Sequence, residues 1–311
     1  MTITSRIDNV TYITPEFRSL RLPAPPSVKI EITSRCPYRC KFCVKSMNDY
    51  PAKEMDRSFY SQIIRDMYES GVRELAPFFV GESFTCKWLP EAIKEAKDVG
   101  FPYVFLTTNG ASALPKIVEK CFAAGLDSLK FSLNFHSAEQ LADVAQVDGS
   151  NWRRAIENLK AARRIRDEGG YKCGIYASYI QFNDEQAEKM KAVVDEIKDY
   201  CDEVYRLPLY GMQGAAEKWG GKPKAGNPGR YDNQRPSLPC WSVFREAHID
   251  VEGRLVACCF GGENNPGMVM ADLYKVDFMT GWNSKEFQRL REAHLNEDVC
   301  GTPCESCAAG G

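Results

Sequence analysis

Hydrophobic positions over the first two thirds of the chain follow two alternating patterns. Short runs rich in β-branched and aromatic residues predict strands, and longer segments with apolar residues three or four positions apart, such as Phe59, Ile63 and Met67, predict helices. The predicted strands cover residues 28–33, 75–80, 103–107, 128–133, 173–180 and 203–208. Strands that alternate with helices form a parallel sheet with right-handed crossovers. Six such units are too few to close an eight-stranded barrel, so the pattern predicts an α/β fold, a partial (β/α)6 barrel over residues 28–208, with its site at the carboxyl ends of the strands.

The pattern changes on both sides of this predicted barrel. Residues 1–27 form an N-terminal extension, and residues 209–239, rich in glycine and proline, predict a linker or a mobile lid. Basic residues outnumber acidic ones in this second segment, which fits either a solvated linker or a lid over an anionic substrate group. Residues 240–311 predict a small cysteine-rich domain with a β-hairpin (243–250 and 254–257, turning at Gly253) and a helix over 284–295.

Composition narrows the class of partner and the compartment. The 311 residues carry 40 basic and 42 acidic side chains, so no strong field of one sign exists to recruit nucleic acid or an anionic membrane. The first ten residues lack the apolar core of a signal peptide, and no apolar run is long enough to span a bilayer. Thirteen cysteines, an odd number in tight clusters, are more typical of metal binding than of disulfides. We therefore expect a soluble, cytoplasmic metalloprotein.

Three of these cysteines directly follow the first predicted strand. Cys36, Cys40 and Cys43 have the spacing CxxxCxxC. Three thiolates on one loop can hold three irons of a [4Fe–4S] cube and leave the fourth iron free to bind a substrate or cofactor. A structural zinc site would use four ligands, and no fourth Cys or His lies nearby in the sequence. The spacing therefore favours an iron–sulfur cluster.

This loop, after the first strand of a partial (β/α)6 barrel, resembles that of the radical S-adenosylmethionine (SAM) superfamily. The resemblance implies that the open iron binds the amino and carboxylate groups of SAM. Reductive cleavage of SAM would then give a 5′-deoxyadenosyl radical that abstracts a hydrogen atom from the substrate. A flavodoxin- or ferredoxin-type reductant is the expected electron donor. The protein itself would bind and orient SAM and the substrate, and it would exclude water from the site.

Later strand ends are similar to the SAM-contacting motifs of the same family. Val80-Gly81-Glu82-Ser83 resembles its Gly-Gly-Glu-Pro segment, whose carboxylate receives the SAM ammonium. Phe42 stands where the family places an aromatic ring against the adenine, and Asn134 stands where relatives carry an aspartate. The cofactor contacts that the resemblance implies are Phe42, Gly81, Glu82, Ser83, Thr108, Asn109, Ser132 and Asn134.

The downstream cysteines form a second pattern. A hairpin would bring Cys240 and Cys258 together, and Cys304 and Cys307 form a CxxC pair. The segment resembles the shortened SPASM, or twitch, domain of radical SAM enzymes. The resemblance implies an auxiliary cluster on these four cysteines, and hence two [4Fe–4S] clusters per chain. A zinc ribbon with the same ligands, and Cys300 in place of Cys304, stay open as alternatives.

Three interpretations of the function follow. The first is a two-electron oxidation in which the auxiliary cluster accepts the second electron, as in twitch-domain dehydrogenases. The second is epimerisation of a sugar, aminocyclitol or peptide, in which a cysteine returns a hydrogen atom. The candidate donors are Cys259, Cys300 and Cys86, and Cys259 leads because neighbours on a strand face opposite sides. The third is an iron–sulfur or zinc scaffold without catalysis. The short N-terminal extension favours a small polar metabolite as substrate, with a peptide as the alternative.

Overall fold

A nine-stranded sheet and a separate antiparallel pair of short strands, β7 and β8, make up the β-structure of the computed structural model, which describes residues 2–47, 51–260 and 266–308. The strands are β1 Ser27–Ile30, β2 Glu74–Ala76, β3 Tyr103–Thr108, β4 Ser128–Ser132, β5 Gly174–Gln181, β6 Glu203–Pro208, β7 Gly229–Arg230, β8 Asn233–Gln234, β9 Glu246–Ile249, β10 Arg254–Val256 and β11 Val269–Asp272. The helices are α1 Ile3–Val10, α2 Arg57–Glu69, α3 Leu89–Val99, α4 Pro115–Ala123, α5 Ala138–Ala145, α6 Ser150–Gly169, α7 Asp184–Ile197, α8 Ala215–Lys218, α9 Ser242–Arg245, α10 Phe278–Trp282, α11 Lys285–Leu295 and α12 Glu305–Ala308.

The strand order confirms the predicted partial barrel. The sheet runs β11-β10-β9-β1-β2-β3-β4-β5-β6, and every pairing from β1 to β6 is parallel. β9 pairs with β1 in parallel, while β10 and β11 are antiparallel. The C-terminal hairpin therefore extends the barrel sheet at β1 instead of standing apart from it. Gly253 turns this hairpin in the left-handed region (φ +74°), which favours glycine.

Alternation along the barrel strands separates two environments. On β1 and β4 the outward residues Val28, Ile30, Leu129 and Phe131 have no exposed surface and belong to the main hydrophobic core. The inward alternates of the same strands are polar. An apolar layer thus fixes the strands, and polar side chains are directed into the barrel interior.

The hairpin strand predicted over 243–250 is shortened to β9, because Ser242–Arg245 form α9. Two barrel strands were also predicted too long, and the reason in both is one carboxylate. β1 ends at Ile30 and β2 at Ala76, whereas the sequence predicted strands to residues 33 and 80. The buried Glu31 carboxylate accepts the backbone N–H groups of Val80 and Gly81, at 3.2 and 3.0 Å, and that of Val251 at 3.3 Å. Side-chain hydrogen bonds replace the ladder here, and they tie the loop after β2 to the C-terminal hairpin.

The N-terminal extension and the Gly/Pro-rich segment both contact the barrel. Helix α1 lies at the amino ends of the strands, where Thr4 Oγ1 donates to Glu203 Oε1 at 2.6 Å. In the later segment, Tyr231 N donates to Arg206 O of β6 at 2.9 Å, and Arg230 pairs with Asp8 of α1 at 2.7 Å. These contacts place residues 229–231 of this segment beside β6 and α1, at the edge of the barrel.

Candidate functional site

The three-cysteine loop after β1 is anchored by its backbone. Arg39 N and Lys41 N donate to Ala145 O and Val144 O at the end of α5, each at 2.9 Å. Cys36, Cys40 and Cys43 are half-buried free thiols. Burial is the main cause that raises the pKa of each thiol, and the neighbouring sulfurs raise those of Cys36 and Cys40 further. A cluster iron replaces the thiol proton, and a [4Fe–4S] cube binds each thiolate to a separate iron, so three cysteines on one fixed loop fit such a ligand.

The segment after β2 brings a carboxylate beside this loop. Gly81 packs so closely that an added Cβ would lie 1.9 Å from Thr33 O, which excludes any larger residue without backbone movement. Glu82 N donates to Arg35 O at 2.7 Å, next to Cys36. The Glu82 side chain is only 3% exposed, and burial raises its pKa.

The end of β3 orients that carboxylate. Thr108 Oγ1 donates to Glu82 Oε1 at 2.9 Å, and Asn109 N donates to Glu82 Oε2 at 2.8 Å. Asn109 Nδ2 also lies 3.8 Å from Cys36 Sγ. One asparagine thus contacts both the carboxylate and a cysteine sulfur, so the side chains of residues 109, 82 and 36 form one connected group.

The other predicted SAM contacts have more varied surroundings. Asn109, Ser132 and Asn134 line one small cavity with Tyr38, although Asn134 Oδ1 already accepts the N–H of Ile180 at 3.0 Å. Ser83 is buried, and its hydroxyl donates to Pro77 O at 2.7 Å, so it positions the loop. Phe42 packs against Phe182 and Trp219, with ring centroids 5.3 and 5.8 Å apart.

The second cysteine set lines one cavity in the C-terminal part of the fold. Cys240, Cys258, Cys304 and Cys307 all face it, and His294 faces it as well. His294 Nδ1 accepts the N–H of Cys240 at 3.1 Å, so the neutral ring carries its proton on Nε2. Among the described residues this buried Nε2 has no hydrogen-bond partner, and a sulfur of a bound cluster would supply one.

The four sulfurs are not gathered around a single point. Within residues 2–47, 51–260 and 266–308, no three Cys, His, Asp or Glu side chains stand close enough to hold one metal ion. A [4Fe–4S] cube spreads its protein ligands over separate irons, whereas a zinc ion binds all four at about 2.3 Å.

Cys304 and Cys300 have different environments. Cys304 is buried in the four-cysteine cavity, whereas Cys300 is exposed, with its Sγ 3.5 Å from Glu305 Oε1. We expect Cys304→Ala to lose the auxiliary cluster, which lowers the iron content from about eight to about four atoms per chain. The matched variant Cys300→Ala should keep about eight. Iron and sulfide analysis after anaerobic reconstitution checks this, and equal iron loss in both variants would contradict the assignment.

A larger cavity of about 210 Å³ occupies the barrel interior. Its floor includes Ile3, Arg6 and Ile7 of α1. Its walls include Lys29, Phe105, Lys130, Tyr205 and Glu246 from five strands, together with Asn227 and Cys259. Cys258 and Cys259 therefore face different cavities, although both lie in the turn after β10 and not in the strand itself. The other two candidate donors lie elsewhere, since Cys300 is on the surface and Cys86 is buried in the main hydrophobic core.

Charge inside this cavity is partly compensated. Lys29 Nζ lies 2.7 Å from Glu246 Oε2, and His248 Nε2 lies 3.0 Å from the same oxygen. Burial opposes the ionisation of Glu246, but Lys29 and His248 together outweigh it and lower the Glu246 pKa. Burial, together with the charge of Lys29, lowers the pKa of Lys130 to about 7.

The barrel cavity and the four-cysteine cavity share two wall residues, Asn227 and Phe260. Asn227 Nδ2 lies 3.6 Å from Cys259 Sγ, and Trp241 Nε1 donates to Asn227 O at 2.7 Å. The two cavities are thus separated by about one layer of side chains.

Sequence reasoning missed the polar groups of the barrel interior. Lys29 and Lys130 each sit in the middle of an otherwise apolar or small-residue strand, SVKI and SLKFS. Strands of a parallel sheet covered on both faces are normally continuous hydrophobic runs, so a lysine within one was a usable signal. His294 and Asn227 carried no comparable signal, because only the tertiary fold brings them to the cysteine cavity.

The barrel with its three-cysteine loop, and the attached four-cysteine site, define an iron–sulfur enzyme class. The chain belongs to the radical SAM superfamily, which matches residues 30–194. The SPASM family, described as an iron–sulfur cluster-binding domain, matches residues 240–308. The chain is therefore a radical SAM enzyme with a SPASM domain, and its cofactors are [4Fe–4S] clusters and SAM. This result favours iron–sulfur over zinc at the C-terminal cysteines and a catalyst over an inert scaffold.

Individual relatives agree with this family. The PqqA peptide cyclase of Xanthomonas oryzae pv. oryzae is 26% identical, over 93% of this chain and 83% of the relative. Streptococcus suis SuiB bound to the precursor peptide SuiA has a similar fold, with a TM-score of 0.65, 14% identity, and coverage of 92% of this chain and 68% of SuiB. BtrN in complex with AdoMet and 2-DOIA gives a TM-score of 0.55 at 16% identity, covering 87% of each chain.

None of the helices in the described residues is both long and apolar enough to cross a bilayer.

Proposed function

We propose that the chain catalyses a two-electron oxidation of a peptide, one side chain of which enters the barrel cavity. The observation that carries this proposal is the wall of Asn227 and Phe260 that the barrel cavity shares with the four-cysteine cavity. A substrate group in the barrel would lie next to the four-cysteine cavity. On its other side the cavity is lined by Thr107, which directly precedes Thr108 and Asn109, the residues that bind Glu82. That arrangement suits removal of a hydrogen atom at one site and of an electron at the other.

The peptide replaces the small metabolite that the sequence favoured. The curated relatives are named PqqA peptide cyclases, and SuiB was solved with a precursor peptide. The cavity of about 210 Å³ is smaller than the roughly 300–1,000 Å³ of typical small-molecule sites, and it suits one side chain of a longer substrate. Joining two side chains with loss of two hydrogens is itself a two-electron oxidation, so ring closure and dehydrogenation share this overall balance.

The two parts of the chain would bind different cofactors. The barrel, residues 28–208, would hold one cluster on Cys36, Cys40 and Cys43 and the SAM ammonium on Glu82. Residues 240–311 would hold the auxiliary cluster on Cys240, Cys258, Cys304 and Cys307. When bound, these groups supply a hydrogen-abstracting radical and an acceptor for the remaining electron. A flavodoxin- or ferredoxin-type protein remains the predicted reductant.

The N-terminal extension and the Gly/Pro-rich segment would both help to enclose the barrel cavity. Residues 1–27 supply the cavity floor through α1, and residues 209–239 supply part of its wall through Tyr210, Asn227 and Gly229. Both segments therefore exclude water from the barrel interior.

Epimerisation is the second candidate, and one observation favours it. The Cys259 sulfur lines the barrel cavity, where it could return a hydrogen atom to a substrate radical. That step would leave a thiyl radical on Cys259, which needs one electron and one proton from the reductant and solvent before the next turnover. Oxidation needs no such donor, so the two candidates differ in what Cys259 does.

Product mass and deuterium content separate the two. The substrate is first identified as the peptide, in a pool from the source cells, that raises 5′-deoxyadenosine release by the reconstituted enzyme. We expect a product two mass units lighter, without deuterium at carbon when made in deuterated water, and unchanged conversion by Cys259→Ala. A product with the same elemental composition as the substrate, apart from one carbon-bound deuterium, would indicate epimerisation instead of oxidation. Loss of turnover in Cys259→Ala would accompany it.

A further inference from the structure

Lys130 projects from the middle of β4 into the barrel. Its strand neighbours Leu129 and Phe131 have no exposed surface and pack into the outer hydrophobic layer, so alternation directs residue 130 inward. Lys130 lines the barrel cavity. Within the described parts of the chain its ammonium makes no hydrogen bond or ion pair, and the Tyr205 ring centroid lies 6.0 Å away.

The other charged side chains that face this cavity have partners. Arg6 is paired with Glu74 and lies 4.0 Å from the Phe105 ring centroid. Lys29 is paired with Glu246, which also contacts His248. Lys130 therefore leaves the cavity with one uncompensated positive charge in its protonated state. An ammonium enclosed without an anion is unfavourable, and a bound anion would remove that cost.

We propose that Lys130 binds a carboxylate of the substrate inside the barrel cavity. One lysine supplies one charge and three N–H donors, which match a singly charged carboxylate. Phe78, Phe105 and Leu207 line the same cavity and would contact the methylene groups that carry it. The carboxylate belongs either to an acidic side chain or to the end of a peptide chain. This inference rests on the proposed function, because it takes the barrel cavity as the substrate site.

The charge state of Lys130 agrees with this role. Burial, with the nearby Lys29 charge, lowers the pKa of Lys130 to about 7 in the ligand-free protein. A carboxylate beside the ammonium would favour the charged form and raise the pKa again.

Binding of small probes to the reconstituted, SAM-loaded enzyme tests the proposal without turnover. The probes are N-acetyl-glutamate α-amide, N-acetyl-alanine and the neutral N-acetyl-glutamine α-amide, titrated anaerobically by calorimetry. We expect at least one carboxylate probe to bind wild type at least tenfold more tightly than the neutral amide. Lys130→Met should weaken that probe at least tenfold, and Lys172→Met, at an exposed position before β5, should not. Tight binding of N-acetyl-glutamate α-amide would identify a side-chain carboxylate as the ligand, and tight binding of N-acetyl-alanine would identify a terminal carboxylate.

A second measurement uses wild-type protein alone. Acetic anhydride labelling of Lys130, followed by peptide mass spectrometry, should slow when the bound carboxylate probe is present, while Lys172 labelling stays unchanged. Equal affinity for carboxylate and amide, unchanged affinity in Lys130→Met, no binding of either carboxylate, or unchanged Lys130 labelling would each overturn the proposal. The product-mass experiment tests the oxidation separately, so either result can fail while the other stands.

Discussion

Replacing Cys36, Cys40 and Cys43 together by alanine should lower bound iron from about eight to about four atoms per chain and stop 5′-deoxyadenosine release. The three cysteines lie on one loop whose backbone is fixed to α5. The auxiliary set lies in a separate cavity, so its cluster should survive. Iron analysis, and chromatography of dithionite-reduced reactions with SAM, provide the two measurements.

A matched variant shows that the effect is specific to the loop. Cys201→Ala removes a half-buried thiol just before β6, distant in sequence from both sets, and should retain about eight irons and normal 5′-deoxyadenosine release. Release that persists in the single variant Cys40→Ala would contradict the assignment of this loop to SAM cleavage. Loss of all iron from the triple variant would contradict two independent cluster sites.

Local sequence patterns predicted the parts of the fold that depend on local physics. The six barrel strands follow from alternating strand and helix periods, and the cysteine loop follows from spacing that short loops can close. The boundary errors at β1 and β2 arise from Glu31, whose carboxylate binds backbone groups 49, 50 and 220 residues away. Contacts at such separations leave no periodic signal in the chain.

The same limit explains the choice between Cys300 and Cys304. Cys304 forms the CxxC pair with Cys307, and Cys300 precedes it closely in the sequence, so spacing alone could not decide between them. In the structure, Cys300 N donates to Asp298 Oδ1 at 3.1 Å and Gly301 turns the chain with φ +70°. These local hydrogen bonds and the left-handed turn direct Cys300 to the surface, and Cys304 faces the cavity.

The role of residues 209–239 was also beyond sequence patterns. Their glycines and prolines predicted a linker or lid, and their basic side chains allowed an anion-binding role. Arg230 instead pairs with Asp8, 222 residues away, and Arg235 Nη2 donates to Asp8 O at 2.8 Å. These arginines hold α1 against the barrel. The uncompensated cavity charge comes from Lys130 on a strand instead.

Replacing Glu82 by glutamine should weaken SAM binding by roughly 30-fold or more. Removing one partner of a buried, hydrogen-bonded charge pair costs about 2–5 kcal/mol, and every 1.4 kcal/mol is tenfold. Glutamine is preferable to alanine for this test. Alanine would leave the N–H groups of Phe84 and Asn109 and the Thr108 hydroxyl without their acceptor, at about 1–3 kcal/mol each.

The control for this variant is Glu91→Gln, an exposed glutamate in the first turn of α3. Equilibrium dialysis with SAM measures the affinity, and iron analysis must still give about eight atoms per chain. Both variants lack the carboxylate. Glu82→Ala should bind SAM at least as weakly as Glu82→Gln, because it also loses the packing of the side chain. Undiminished SAM affinity in an iron-replete Glu82→Gln enzyme would show that the ammonium binds elsewhere. The connected side chains of Glu82, Asn109 and Cys36 would then serve only to position the cysteine loop.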